Sequence, residues 1–483
     1  MAWNRRDVLV TGGALSILLA TGGCEEWFKK IKNRPLRRNI AKLAANAPEI
    51  QAYRDGVAAM KALPASDPRS WQAQALVHQN FCPHGNWYFL PWHRAYLLSF
   101  ERIIQKLIND DKFGLPFWNW QTANSIPAPF WVAGSALNHS PRVATSSSVA
   151  NTSIVGAGNI ESILDETNFE VFASYAATAL RGGGGAYGRL ESEPHNYIHG
   201  FVAGTMGTFM SPLDPIFWTH HNILDYLWFN WNAVRNNPNT NDPAWANFDL
   251  AGMFVDGDGN PATYRVGVTP LMPFLSYRFE ADTLGGSVSP QFAQAEGKGG
   301  PEKSSGQGQK DEETLKAFLE KGAPVRFRER SRQRIAPGLT VTPGRPAPVQ
   351  VRLPEAPLAG TMAPRQSERT FVRLSNTIAP DNESYFLRLF VDKPDAGPTT
   401  PIDDPAYAGS IAFFSDRKVM SMGMDYQIEI SDLLRRRAGQ SSGADARLTL
   451  VPVPIEEGRP AGAEPFTIGA IELVTASFDP MAR

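Results

Sequence analysis

The stretch Glu191-Ser192-Glu193-Pro194-His195-Asn196-Tyr197-Ile198-His199, followed by Asp214-Pro215-Ile216-Phe217-Trp218-Thr219-His220-His221-Asn222, decides the fold. His195 and His199 stand at i and i+4, so on a helix both rings project from one face and can chelate one ion. Between Pro215 and Trp231, residues Phe217, His221, Leu224, Asp225 and Trp228 share one face of a second helix. His220 and His221 lie about 100° apart on it, so both cannot point at one metal, and spacing alone does not choose between them.

A second cluster lies upstream. His78, Cys82 and His84 precede Pro91-Trp92-His93-Arg94, and the run from Pro91 to Leu107 places Trp92, Tyr96, Phe100, Ile103 and Leu107 on one helical stripe. A lone helical histidine is usually an ordinary core or surface residue. Here seven of the 8 histidines fall in the two clusters, and only His139, in Asn138-His139-Ser140, reads as ordinary. Three imidazoles per site without a coordinating carboxylate suit copper or zinc. The Glu-x-x-His pattern of paired iron or manganese sites is absent from both clusters.

The rest of the chain frames these clusters. Its 483 residues suffice for a large core, and 42% hydrophobic content is globular. Lys+Arg 47 against Asp+Glu 48 leaves a net charge of -1, which gives no electrostatic footprint for nucleic acid. Two cysteines cannot form a disulfide framework. Asn4-Arg5-Arg6-Asp7 followed by an apolar run to Ala20 reads as a twin-arginine export signal over residues 1–24, a route for folded proteins that often carry cofactors. Thr21-Gly22-Gly23-Cys24 then offers either lipidation of Cys24 or plain signal-peptidase cleavage. Residues 35–280 are dense in Trp, Phe and Leu at helical spacing, interrupted at 145–188 by Gly- and Ser-rich loops around one or two short helices. Residues 281–347 read as a linker, with Gly285 to Gln309 its most open part. From 348 to 480, short apolar runs at Tyr385–Val391, Gly409–Phe414, Leu448–Val453 and Phe466–Val474 separated by turns predict an all-β sandwich. The expected architecture is a mainly α core, a four-helix bundle around two metals, plus that sandwich.

Taken together, His-x3-Cys-x-His, Pro-Trp-His-Arg, Pro-His-Asn-x2-His and Asp-Pro-Ile-Phe-Trp-x-His-His-Asn-x2-Asp-x2-Trp resemble the type-3 copper proteins, specifically the tyrosinases and polyphenol oxidases. The resemblance implies two copper ions, one on His78, His84 and His93 and the other on His195, His199 and His221, with His220, Asp225 and Arg94 as neighbouring polar residues. It implies a thioether between Cys82 and His84, the alternative being a free buried thiol. It also implies that Tyr277-Arg278-Phe279 packs against Arg37 or Arg38, and that a gate lies among Thr208, Phe209 and Met210. Phe254 to Asn260 reads as a hairpin turn rather than a calcium loop.

By the same resemblance the reaction is oxidation of o-diphenols to o-quinones by dioxygen, with ortho-hydroxylation of monophenols. A phenol has a pKa near ~10, so the monophenol must give up a proton. Glu191 and Asn196 match the positions that hold the accepting water, whereas Glu193 reads as an exposed helix-start carboxylate. The expected partners are small phenols. Membrane attachment is expected only through Cys24, and the location is outside the cytoplasm. The β region is expected to cover the site with an apolar side chain. A diphenol-only catechol oxidase, a hemocyanin-like dioxygen carrier, a dinuclear zinc hydrolase and a purely structural protein are the competing readings.

Overall fold

The computed structural model describes residues 34–181, 185–282, 324–353, 368–379, 385–414, 423–439, 445–456 and 464–480. The export signal, Cys24 and the Gly285 to Gln309 stretch lie outside the described residues. The chain groups into two compact units. One holds residues 34–82, 90–140 and 212–282; the other holds residues 83–89, 141–211 and the described residues from 324 onward. This division differs from the expected boundary near 280, because the segment carrying His195 and His199 groups with the strands.

Four helices carry His78, His93, His199, His220 and His221: α1 (Trp71–Phe81), α2 (Phe89–Ile108), α3 (Asn196–Val202) and α4 (Ile216–Phe229); His84 lies in the loop after α1, and His195 ends the turn that precedes α3. Ser70 caps α1 by accepting from the Ala73 amide, and the helix stops at Cys82, the residue before Pro83, where α-conformation is disfavoured. The α2 stripe is buried as expected at Trp92, Tyr96, Phe100 and Ile103, but Leu107 is half-buried, and the opposite side of the helix is covered too. A helix buried on all sides, as α2 is from Phe89 to Glu101, must satisfy its polar residues, and Arg94 and Glu101 both have ionic partners. In α4 every residue from Ile216 to Trp228 is buried, which fits the Trp- and Leu-rich sequence.

One charge cluster ties the first unit together. The Arg37 Nε donates to Glu101 at 2.9 Å, and its Nη1 donates to Asn222 Oδ1 at 2.8 Å and to Asp225 at 3.0 Å. Its guanidinium lies 3.4 Å from the centroid of the Tyr277 ring, and the Tyr277 hydroxyl donates to Asp225 at 2.5 Å. Arg94 pairs with the other Asp225 oxygen and stacks 3.7 Å from the Trp228 ring. Arg37, not Arg38, is therefore the partner of the aromatic segment; Arg38 is partly exposed and pairs with Glu49 and Glu280. A short parallel pairing of Leu36–Arg37 with Arg278–Phe279 fixes that register. Residues Phe254–Val255 and Pro261–Ala262 pair antiparallel around a turn closed from the Gly259 amide to Asp256, the expected hairpin.

Among the described residues, the second unit holds eight strands: β1 (Val325–Val341), β2 (Ala347–Arg352), β3 (Glu368–Thr377), β4 (Tyr385–Val391), β5 (Tyr407–Ile411), β6 (Met424–Glu429), β7 (Asp445–Pro454) and β8 (Phe466–Pro480). They form two four-stranded antiparallel sheets, ordered β6-β3-β8-β1 and β2-β7-β4-β5. One apolar cluster draws Leu374, Ile428 and Ile471 from the first sheet and Leu389, Leu448 and Ile411 from the second. Strand β1 falls inside the stretch expected to be linker. It pairs with β8 over its length, so the linker reading of 281–347 is too long by at least this strand. The 145–188 region contains three short helices, Thr152–Val155, Ala157–Leu164 and Phe169–Phe172, where one or two were expected.

Candidate metal centre

In the first unit, α1, α2 and α4 bring His78, His93 and His221 together. The His93 and His221 rings stack with centroids 4.1 Å apart, and His78 lies 5.7 Å from His93 and 6.4 Å from His221. All three are buried. One nitrogen of His220 has a protein donor: the Trp120 indole N–H donates to its Nδ1 at 3.3 Å. Cys82, on the residue that ends α1, is buried with Sγ 3.4 Å from His93 Nε2 and belongs to one potential metal-binding group with His78 and His93.

In the second unit, residues Glu191–His195 form a single wide π turn that runs into α3. Pro194 explains it, since proline has no N–H for the regular i to i−4 bond, and such turns concentrate at functional positions. The His195 and His199 rings lie 4.6 Å apart, and His84 lies 5.4 Å from His195. His199 Nδ1 is 2.5 Å from the Met206 carbonyl, which only accepts, so the proton sits on Nδ1 and the Nε2 lone pair is the one available to a metal. Burial pushes the His199 pKa down to about 4, which keeps the ring neutral. The side chain of Asn196 lies 2.9 Å from His195 Nδ1 through its Oδ1, and its Nδ2 donates to the Ala412 carbonyl at 2.9 Å.

Glu191 is wholly buried and faces three donors. Its Oε1 accepts from the Gly85 amide at 2.9 Å and lies 3.1 Å from His84 Nδ1, while Oε2 lies 2.5 Å from Ser174 Oγ. Burial pushes its carboxyl well above the usual range, and the donations from Ser174 and Gly85 oppose that. The expectation for Glu193 is corrected: it is only 6% exposed, paired with Arg189 at 2.8 Å and Asn159 at 2.8 Å. A salt-bridge partner two residues before Glu191 makes burial of a second carboxylate tolerable.

An apolar residue unnamed by sequence reasoning also belongs here. Phe414, 1% exposed and three residues past β5, lies 4.6 Å from His84, 4.6 Å from His199 and 6.0 Å from His195 between ring centroids. Phe209 meets the His84 ring edge-on at 5.2 Å and Phe414 at 5.4 Å; Thr208 and Met210 beside it are half-buried. The Ala412 amide donates to the Ser192 carbonyl at 2.6 Å, so the segment before Phe414 is pinned on both of its polar groups.

The donor chemistry fits a pair of copper ions: six buried imidazoles, with an oxygen acceptor facing Nδ1 of His84 (Glu191), His195 (Asn196) and His199 (Met206). Residues 55–159 and 133–234 match the common central domain of tyrosinase. The chain thus carries a match to the tyrosinase central domain over residues 55–234. It is 30% identical over 295 residues to tyrosinase HcTyr1 of Hahella sp. (strain CCB-MM4), spanning 50% of this chain and 62% of that protein. It is 30% identical over 286 residues to the chloroplastic polyphenol oxidase A1 of Vicia faba, spanning 50% of this chain and 46% of that one. The chain thus spans less than two thirds of the length of these curated relatives. Among solved structures, latent aurone synthase, a polyphenol oxidase, shares the fold with a TM-score of 0.66 at 20% identity, over 93% of this chain and 90% of the other. Latent apple tyrosinase does so with a TM-score of 0.64 at 21% identity, over 92% and 97%. Among the described residues, no helix is long and apolar enough to cross a membrane.

Proposed function

We propose that this protein is an exported copper phenol oxidase that converts o-diphenols to o-quinones and ortho-hydroxylates monophenols. The observation that carries the reading is the pair of buried imidazole sets, His78, His93 and His221 in one unit and His84, His195 and His199 in the other, in a chain matching the tyrosinase central domain. His78, His84 and His93 would hold one copper and His195, His199 and His221 the other, within a bundle formed by α1 to α4, with His220, Asp225 and Arg94 supporting it. When bound, the two coppers supply the electron transfer that reduces dioxygen. Two o-diphenols and one dioxygen give two o-quinones and two waters; one monophenol and one dioxygen give one o-quinone and one water.

The chain's own residues handle access and protons. Glu191 accepts the monophenol proton through a water, with Asn196 helping to hold that water. Phe209 is the gate residue of the Thr208 to Met210 segment, since it is the one in contact with an imidazole. Phe414, carried by the sandwich of the two sheets, covers the His84, His195 and His199 rings and keeps the enzyme latent. Cys82 forms a thioether with His84, its S–H and one ring C–H hydrogen being lost in a two-electron oxidation by dioxygen, and the bond restrains the ring. The twin-arginine segment directs export, and Cys24 is either lipidated or removed with the signal.

The deciding experiment is oxygen uptake by the copper-loaded full chain, parent and Phe414→Ala, on a monophenol and its matching o-diphenol. Uptake with both, lost on chelation and restored by copper but not zinc, supports the reading. Uptake with the diphenol alone reduces it to catechol oxidase. Two coppers bound with no uptake on either substrate overturns it in favour of a dioxygen carrier.

A further inference from the structure

We propose that Ser174 is a positioning residue for monophenol hydroxylation: it sets the orientation of the Glu191 carboxylate and thereby selects the lone pair that receives the substrate-derived proton. The inference rests on the role proposed for Glu191. A carboxylate offers two lone pairs in its plane on each oxygen. Oε1 faces two partners, the Gly85 amide at 2.9 Å and His84 Nδ1 at 3.1 Å. Oε2 has one close partner, the Ser174 hydroxyl at 2.5 Å. One Oε2 lone pair therefore remains directed away from these three donors, and its direction depends on which side Ser174 takes.

Ser174 is itself held. Its oxygen accepts from the Gly188 amide at 3.0 Å, and the residue is fully buried. Ser174 and Tyr187 pair in an antiparallel bridge. A Cβ on Gly188 would stand 2.5 Å from the backbone of Ala173, so only glycine lets this amide come close enough to reach the hydroxyl. With its lone pair taken by Gly188, the hydroxyl hydrogen has two acceptors in reach, the Ala173 carbonyl at 2.5 Å and Glu191 Oε2 at 2.5 Å. The arm that reaches Oε2 is the one that bears on the orientation of Glu191. The result is a relay of fixed direction, Gly188 N–H to Ser174 O–H to Glu191. Diphenol oxidation also releases two hydroxyl protons, which leave with the reduced oxygen as water; the relay is assigned to the monophenol step, where a phenol proton must be lost before the ring is hydroxylated.

The test uses the full chain in the Phe414→Ala background, comparing Ser174→Ala, Ser174→Thr and Glu191→Gln. Removing a hydrogen bond that orients a general base is expected to lower the ratio of monophenol to diphenol turnover by roughly tenfold in Ser174→Ala. Ser174→Thr, which keeps the hydroxyl, is expected to recover most of it. In crystals of metal-free Ser174→Ala, the Glu191 carboxyl is expected to rotate relative to the parent, a readout independent of activity. If Glu191→Gln leaves the ratio unchanged, the Glu191 role fails. If Glu191→Gln lowers it while Ser174→Ala does not, and the carboxyl keeps its orientation, the Ser174 proposal alone fails. Should Ser174→Ala not fold, the same two readouts on Ser174→Cys, nearly isosteric and a weak donor, decide the matter.

Discussion

Replacing Phe414 with alanine is the sharpest test of the proposed latency. The ring is 1% exposed and neighbours three imidazoles and Phe209, with centroid separations of 4.6 Å to His84 and His199, 6.0 Å to His195 and 5.4 Å to Phe209. Truncating a buried phenylalanine to alanine typically costs about 3 kcal/mol or more. Substrate must displace the ring, so this free energy sets how rarely the site is open, and apparent affinity scales with the open fraction. Loss of about 3 kcal/mol corresponds to roughly a hundredfold in that fraction, since each ~1.4 kcal/mol is tenfold. The kcat/KM for a small o-diphenol is therefore expected to rise by about a hundredfold in Phe414→Ala. Phe414→Leu keeps apolar contact but loses the aromatic pairs, worth about 1.5 kcal/mol, and is expected to rise about tenfold. The assay is initial-rate quinone formation at matched copper content. An unchanged kcat/KM in Phe414→Ala, or a larger rise for leucine than for alanine, refutes the reasoning.

Other outcomes follow from the same geometry. Arg37→Met strips Asp225 and Glu101 of a buried cation, and breaking a buried pair costs about 3–5 kcal/mol, so the thermal midpoint should fall by roughly 10 °C in calorimetry, with Arg38→Met changing it little. His78→Ala is expected to lower copper from two per chain toward one by atomic absorption, because one imidazole set loses a member. Peptide mass spectrometry of the copper-loaded protein should find Cys82 and His84 in one cross-linked species, two hydrogens lighter than the sum of its parts; separate peptides at full mass would leave Cys82 a buried thiol.

The proposed metal ligands stand out in the sequence because such chemistry demands a rare residue at fixed spacing, and the helices carrying His78, His93, His199 and His221 are rich in apolar residues. Strand β4 was read with its observed bounds because Tyr385 to Val391 is buried on both faces and apolar nearly throughout. Strand β1 was missed for the opposite reason. Arg326, Arg328, Arg330, Arg332 and Arg334 fill one face and Glu329, Ser331 and Gln333 interrupt the other, so neither face reads as apolar, and what makes the segment a strand is its pairing with β8, a partner over a hundred residues away. Charge on an edge strand also discourages pairing with other chains. Phe414 escaped because Ala412-Phe413-Phe414 looks like any strand end: its meaning comes from the return of the chain to Ser192 and Asn196. The burial of Glu193 was hidden likewise, although Arg189 four residues earlier is the i to i+4 pairing that foreshadows it.

The wide turn at Glu191–His195 has an evolutionary consequence. It accommodates one residue more than a regular helical turn, so losing a single residue there would rewind the helix and rotate everything beyond by about 100°. His199 would leave Met206 and its neighbouring rings together, whatever amino acids remained. Lineages of this protein should therefore vary the Ser192 side chain more freely than the length of the turn.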